Sequence, residues 1–83
     1  MQIVYFAWVR ERIGVSEERL ALPPHITTPA LLLDWLAGRS PGHAAAFADR
    51  GAIRVAVDLD FVAMDAALGA AEEVAIFPPV TGG

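Results

Sequence analysis

The chain opens on an apolar run, QIVYFAWV, whose β-branched and aromatic residues predict a strand over Gln2–Val9. Both faces of this strand would be apolar, which favours a central position in a sheet. The next segment, RERIG, predicts a short helical turn that Gly14 ends. Glu18–Leu22 predicts a second strand, paired back onto the first as a hairpin, and Pro23 and Pro24 end it because proline cannot donate to the ladder.

The clearest helix lies in the segment TTPALLLDWLAG. Thr28 is a typical N-cap, and Pro29 suits the first helical position, where a missing N–H costs nothing. Leu32, Trp35 and Leu36 recur at i, i+3 and i+4, so they predict one apolar face with Trp35 in the core.

The remaining pattern is mostly β. A short second helix is predicted over His43–Asp49, and two strands over Ala52–Asp58 and Phe61–Asp65 form a hairpin. The last strand covers Glu73–Phe77. The order β-β-α-β-β-β, with one long helix, predicts an α+β domain in which that helix packs across a single sheet.

Composition narrows the class of protein. At 83 residues the chain predicts one domain, and its 55% apolar content leaves apolar surface for a partner to cover. It has no cysteine, which excludes disulfides and thiolate chemistry. The net charge of −4 argues against nucleic acid and anionic membranes. The N-terminal apolar run is too short for a signal peptide or a membrane span, so a cytoplasmic location is expected.

The polar residues predict no catalytic or metal centre. Asp58, Asp60 and Asp65 match no metal-loop spacing and are interpreted as solvated turn carboxylates. His25 and His43 stand beside proline and glycine and are predicted to be surface residues. We find no nucleophile with a matching base, so we expect no activity from the chain alone and no bound metal or cofactor.

The chain finishes EVAIFPPVTGG, and this ending is its most specific feature. Pro78 and Pro79 lack the N–H groups that a ladder needs, and consecutive prolines favour a stiff, extended chain. We therefore predict a folded domain over residues 1–77 and a flexible tail over residues 78–83. Six residues of extended chain reach about 20 Å, enough to enter another protein's active site.

The two terminal glycines suit such an insertion. Gly82 and Gly83 have no Cβ, so a narrow channel can close around their backbone. The terminal carboxylate is unhindered but is a poor electrophile while ionised. An enzyme could activate it as an acyl-adenylate, from which a sulfur or amine nucleophile displaces AMP.

Two segments carry a family resemblance, YFAWVRERIG (5–14) and EEVAIFPPVTGG (72–83). With the element order between them, they resemble the small subunit of molybdopterin synthase, the MoaD-like sulfur carriers. The resemblance implies a ubiquitin-like β-grasp fold: a mixed sheet with parallel first and last strands at its centre and one long helix packed across it. The chain departs from the family at Asp58, where an asparagine is usual, and at Ala71-Glu72, which replaces Gly-Asp.

The resemblance also implies a function and partners. An E1-like enzyme would use ATP to adenylate Gly83, and a sulfur-donating protein would convert it to a thiocarboxylate. The large synthase subunit would then use that sulfur on cyclic pyranopterin monophosphate, within an expected heterotetramer. The residues implied to insert with Gly83 are Gly82, Thr81, Val80, Pro79 and Pro78. Those expected at the partner interface are Phe6, Trp8 and Phe77.

Alternatives remain open from the sequence. The chain could be a ubiquitin-like modifier that is joined to lysines of target proteins, or a sulfur carrier for another pathway such as that of thiamine. Trp8 could belong to the core or to the interface, because both faces of its predicted strand are apolar.

Overall fold

The structure is a computed structural model that describes residues 1–79. Its sheet has five strands: β1 (Gln2–Tyr5), β2 (Glu17–Arg19), β3 (Arg54–Val57), β4 (Asp60–Val62) and β5 (Glu73–Phe77). Its helices are α1 (Ala7–Ile13), α2 (Pro29–Ala37) and α3 (Pro41–Ala46), with a 3₁₀ turn at Arg50–Ala52. In this part of the chain no helix is both long and apolar enough to cross a lipid bilayer.

The strand order is β2-β1-β5-β3-β4, which places the last strand at the centre. β1 runs parallel to β5, with Gln2 opposite Glu73 and Tyr5 opposite Ile76. The other strand pairs are antiparallel. This mixed sheet confirms the α+β class, the β-grasp fold and the parallel first and last strands that the sequence predicts.

The helices cover one face of the sheet and enclose the core there. β1 contributes Ile3 and Tyr5 to this core, and β5 contributes Val74 and Ile76, because alternate residues of a strand share a face. α2 adds Leu32, Leu33 and Leu36, all fully buried.

The structure confirms where α2 begins, but the helix is shorter than predicted and Trp35 is less buried. The Thr28 hydroxyl accepts a hydrogen bond from the Leu31 N–H at 3.2 Å, as an N-cap does. The helix spans only nine residues, and the shorter helices α1 and α3 cover the sheet together with it. Trp35 is half-buried at the core's rim, and the Arg39 guanidinium lies 5.4 Å from its ring centroid.

The predicted first strand was too long. β1 ends at Tyr5, and Ala7 adopts a left-handed φ of 52° that turns the chain into α1. The Phe6 N–H still donates to the Ile76 carbonyl at 3.1 Å, and from there the run continues as a helix that buries Val9. Trp8 therefore lies on α1 and not on a strand.

β2 pairs with β1 as a hairpin, as predicted, but it covers Glu17–Arg19 and ends before Leu22.

His43 is the clearest error of the sequence analysis, because it is buried in a polar network and not exposed. Its Nδ1 lies 2.7 Å from the Ser40 hydroxyl, and that oxygen also accepts from the His43 backbone N–H at 3.1 Å. Its Nε2 lies 2.9 Å from Glu18 Oε2, to which the Tyr5 hydroxyl donates at 2.6 Å. The network ties α3 to the β1–β2 hairpin. His25, in contrast, is exposed as predicted.

The network shifts the ionisation of its members. Burial raises the pKa of Glu18, but hydrogen bonds from Tyr5 and His43, with the charges of His43 and Arg39, outweigh burial and leave that pKa below its usual 4.5. Burial, followed by the hydrogen bond to Glu18, raises the pKa of Tyr5 well above its usual value. Ionised Glu18 is thus the centre on which the network depends.

The stability of the fold should depend on the charge of Glu18. A carboxylate with a depressed pKa stabilises the folded state above its usual pKa of 4.5, and this contribution is lost as pH falls through the lower folded-state value. Urea unfolding at pH 7 and at about pH 3 should therefore show a smaller loss of unfolding free energy in Glu18→Gln than in the wild type. Glu17→Gln, on the exposed part of the same strand, should lose as much as the wild type. Equal losses in all three proteins would contradict the assignment.

Candidate functional site

An apolar groove lies on the sheet face that the helices leave open, at the point where β5 ends. It encloses about 680 Å³. We call it the exit groove, and its lining residues are Phe6, Ala7, Ala56, Leu59, Phe61, Ala75, Phe77, Pro78 and Pro79. The chain therefore leaves the sheet along the wall of this apolar recess.

Strand alternation produces this surface. In β5 the side chains of Val74 and Ile76 point into the core, so Ala75 and Phe77 face the opposite way. Phe61 of β4 stands beside Phe77, with ring centroids 5.5 Å apart and planes at 46°. Phe61 is nevertheless 82% exposed, which is unusual for so large an apolar side chain. Such exposure fits a surface that a partner covers.

The β3–β4 turn projects a second apolar residue over the groove. Asp58 and Leu59 both have left-handed φ angles, 46° and 73°, and Leu59 is 85% exposed. The Asp58 Oδ1 accepts the backbone N–H groups of Glu72 and Glu73, each at 3.0 Å. This carboxylate thus fastens the turn to the start of β5 and holds Leu59 outward.

The two other aspartates considered for a metal site are Asp60 and Asp65. Both are exposed, as the sequence predicts for turn carboxylates. Within residues 1–79 no cluster of histidine, aspartate and glutamate has an arrangement that could hold a metal ion.

Of the three residues predicted at the partner interface, two line the exit groove and one does not. Phe6 and Phe77 line the exit groove together with Pro78 and Pro79. Trp8 does not line it: this residue is half-buried on α1, and the Arg12 guanidinium lies 4.3 Å from its ring centroid. The remaining predicted tail residues, namely Val80, Thr81, Gly82 and Gly83, lie outside the described residues.

Sequence reasoning missed two walls of the groove, Leu59 and Phe61. A signal was present in the segment DLDF, where a leucine stands between two aspartates in a predicted turn. A large apolar residue at such a position cannot reach the core, so it points to a contact outside the domain. Phe61 was predicted only as part of a hairpin strand.

The groove is suited to binding rather than to catalysis. Among its lining residues there is no titratable side chain, so it offers no group to transfer a proton or attack a substrate. Its aromatic and aliphatic walls match the composition of protein interfaces.

Comparison with known proteins identifies the family. Residues 3–83, almost the whole chain, match the ThiS family. The chain belongs to that family. It is also 36% identical over 83 residues to the molybdopterin synthase sulfur carrier subunit of Escherichia coli (strain K12), a match that covers 100% of this chain and 99% of that protein. The corresponding subunit of Haemophilus influenzae is 31% identical, with the same coverage.

Solved structures share the fold of this ThiS-family chain. Small archaeal modifier protein 1 of Haloferax volcanii is 30% identical, with a TM-score of 0.75 over 96% of this chain and 97% of that one. A putative molybdopterin converting factor, subunit 1, from Pyrococcus furiosus is 28% identical, with a TM-score of 0.74 over 95% of each chain.

The Asp58 turn gives a test of how the groove is held. Asp58→Ala removes the acceptor for two backbone N–H groups and leaves alanine at a left-handed φ, so it should lower the unfolding free energy by about 1–3 kcal/mol. Asp58→Asn keeps an oxygen acceptor and tolerates that φ, so it should change stability by less than about 0.5 kcal/mol. Denaturant unfolding measures both. If the two variants were equally unstable, the hydrogen bonds of Asp58 would not be what fixes the turn.

Proposed function

We propose that this chain is the sulfur carrier subunit of a molybdopterin synthase. The observation that carries the proposal is that the exit groove surrounds the place where β5 gives way to Pro78 and Pro79. One apolar face can therefore dock on a partner while the tail enters that partner's active site. The names of the relatives from Escherichia coli and Haemophilus influenzae, which match along their whole length, support this role.

The chemistry rests on Gly83. In the proposed sequence an E1-like enzyme uses ATP: a carboxylate oxygen of Gly83 attacks the α-phosphate, and pyrophosphate leaves. The terminal sulfur of a persulfide on a sulfur-donating protein then attacks the acyl carbon, and AMP leaves. A second thiol attacks the donor protein's own sulfur, which breaks the S–S bond, leaves the donor as a disulfide and releases the terminus as a thiocarboxylate. ATP is consumed by the activating enzyme, so the carrier itself needs no bound cofactor.

Delivery would use the residues that follow β5. Pro78 and Pro79 line the exit groove, and consecutive prolines favour an extended backbone. The large subunit would cover the exit groove and receive Gly83 in its active site, where the sulfur is transferred to cyclic pyranopterin monophosphate. Two carriers on a dimer of large subunits would give a heterotetramer.

A second candidate is a protein modifier. It is favoured by the likeness to a Haloferax volcanii protein whose name is small archaeal modifier protein 1, at 30% identity. Here the activated Gly83 would be joined to a lysine amine of a target. Because this chain contains no lysine, such conjugates could not form through its own side chains.

The two roles differ in the product that the terminus forms. Intact mass spectrometry of the chain purified from its native host would show replacement of one oxygen by sulfur for a carrier. A modifier would instead be recovered in isopeptide conjugates, from which trypsin releases lysines bearing the chain's C-terminal residues.

Deleting Gly83 should abolish sulfur transfer while the fold and the docking of the domain are retained. Activation needs a free carboxylate at a fixed reach from the exit groove, and the shortened chain ends one residue too early. The measurement is molybdopterin formation in a reconstituted assay with activating enzyme, sulfur source, large subunit and pterin precursor. Gly82→Ala should reduce the rate as well, because a Cβ would crowd the channel. Product formation by the shortened chain at the wild-type rate would show that the carrier assignment is wrong.

Phe77→Ala should weaken binding to the large subunit by about 2 kcal/mol or more if this ring anchors the interface. Isothermal calorimetry measures the loss, and a melting curve checks that the isolated domain still folds. Val15→Ala is the matched control, because Val15 is 45% exposed and does not line the exit groove. Binding by Phe77→Ala that equals binding by Val15→Ala would place the anchor elsewhere.

A further inference from the structure

The floor of the exit groove is made of two small residues that face each other. Ala56 of β3 lies opposite Ala75 of β5, at the middle of the open sheet face. Alanine is depleted in strands relative to β-branched and aromatic residues, so a pair of alanines at adjacent central strands departs from strand preference. Larger side chains at these two positions would fill the groove. The pair therefore keeps a recess open in a face that could have been flat.

The walls of this recess are large and already held in place. Phe61 is the cross-strand neighbour of Ala56, and its ring packs on Phe77. On the far side of β5, the backbone of Phe6 is fixed by its N–H bond to the Ile76 carbonyl. The recess of about 680 Å³ has room for one large apolar side chain to reach the alanine floor.

Just beyond the end of the groove that lies away from the tail, outside its lining, the open face is acidic. Every second residue of β5 faces the open side of the sheet, and these residues are Glu73, Ala75 and Phe77. Glu73 therefore follows Ala75 along the same row of side chains, on the side away from Phe77. The Asp58 turn brings two further carboxylates to this end, because Asp58 Oδ1 binds the N–H groups of Glu72 and Glu73.

These carboxylates form no ion pair within the described chain. Across residues 1–79 the acidic members of ion pairs are Glu18 and Asp34. Arg19 is separated from Glu73 by Gln2 in the strand register, and it lines one recess together with Glu72 and Glu73. Three carboxylates therefore stand beside one arginine, and a partner that covers the groove meets a net negative charge next to one end.

We propose that the partner places one large apolar side chain on the Ala56–Ala75 floor and an arginine or lysine over the carboxylates around Glu73, which lie next to the groove. This inference rests on the proposed function, in that the partner is the large synthase subunit. The apolar side chain supplies the contact at the centre, and the basic one sets the direction in which the carrier docks, so that the tail points into the active site.

The first test fills the floor. Ala75→Leu introduces a larger side chain that a strand tolerates and that would occupy the recess. The affinity of this variant for the large subunit from the same genome should fall about tenfold or more. Ala45→Leu is the matched control, because Ala45 is exposed on α3 at the opposite side of the sheet. Melting curves of both variants should stay close to that of the wild type.

The outcomes separate this inference from the proposed function. If the wild type binds and Ala75→Leu binds equally well, the floor is unoccupied and the inference is overturned while the carrier role stands. A wild type that fails to bind the large subunit overturns the carrier role, and the inference falls with it. A third measurement is sedimentation of the chain alone. If the wild type were a dimer and Ala75→Leu a monomer, a second copy would fill the groove, and this result would also overturn the inference.

The second test removes charge. Glu73→Gln should slow association with the large subunit and make the rate less dependent on ionic strength, because a rim charge acts mainly on the association rate. Asp65→Asn is the matched control and should behave as the wild type, because Asp65 is exposed and lines neither the groove nor the recess that contains Glu73. The same ionic-strength dependence in Glu73→Gln and the wild type would overturn the basic part of the proposal.

Discussion

The parallel pairing of β1 with β5 is the constraint on which the rest of the molecule depends. It places β5 between β1 and β3, so the last strand lies at the centre of the sheet and not at an edge. A central strand is hydrogen-bonded on both sides, so β5 holds Phe77 and the two prolines that follow it in a fixed place. The position of Phe77, and hence the starting point of everything beyond it, is set by long-range contacts rather than by its own sequence.

The two faces of this sheet differ, because the helices cover one face and leave the other open. The covered face carries the apolar core, with the Tyr5–Glu18–His43 network at one margin linking α3 to the β1–β2 hairpin. The open face carries the exit groove. Because neighbouring residues of β5 point alternately to the two faces, core and groove are built from one five-residue segment. A shift of its register by one residue would exchange the two faces, so the core and the exit groove depend on the same register.

Sequence reasoning recovered the parts that local pattern controls. The N-cap at Thr28, the final strand and the turn at Asp58 all follow from residue type and spacing. It failed where tertiary contacts decide. The run QIVYFAWV is equally apolar in its strand and helix halves, and only the left-handed Ala7 separates them. His43 looked like a loop residue because its partner, Glu18, is 25 positions away. The groove was half found, through Phe6 and Phe77, because its other wall is brought there by β3–β4 pairing.

An exposed apolar groove creates a hazard for a small domain, since exposed sheet edges and apolar surface together promote aggregation. The two edge strands limit this hazard. Each of β2 and β4 is only three residues long, which leaves few free backbone groups to template another strand. β2 carries only charged side chains, and β4 begins at Asp60. Both edges of the sheet therefore offer little template for a second strand, although the open face between them is apolar.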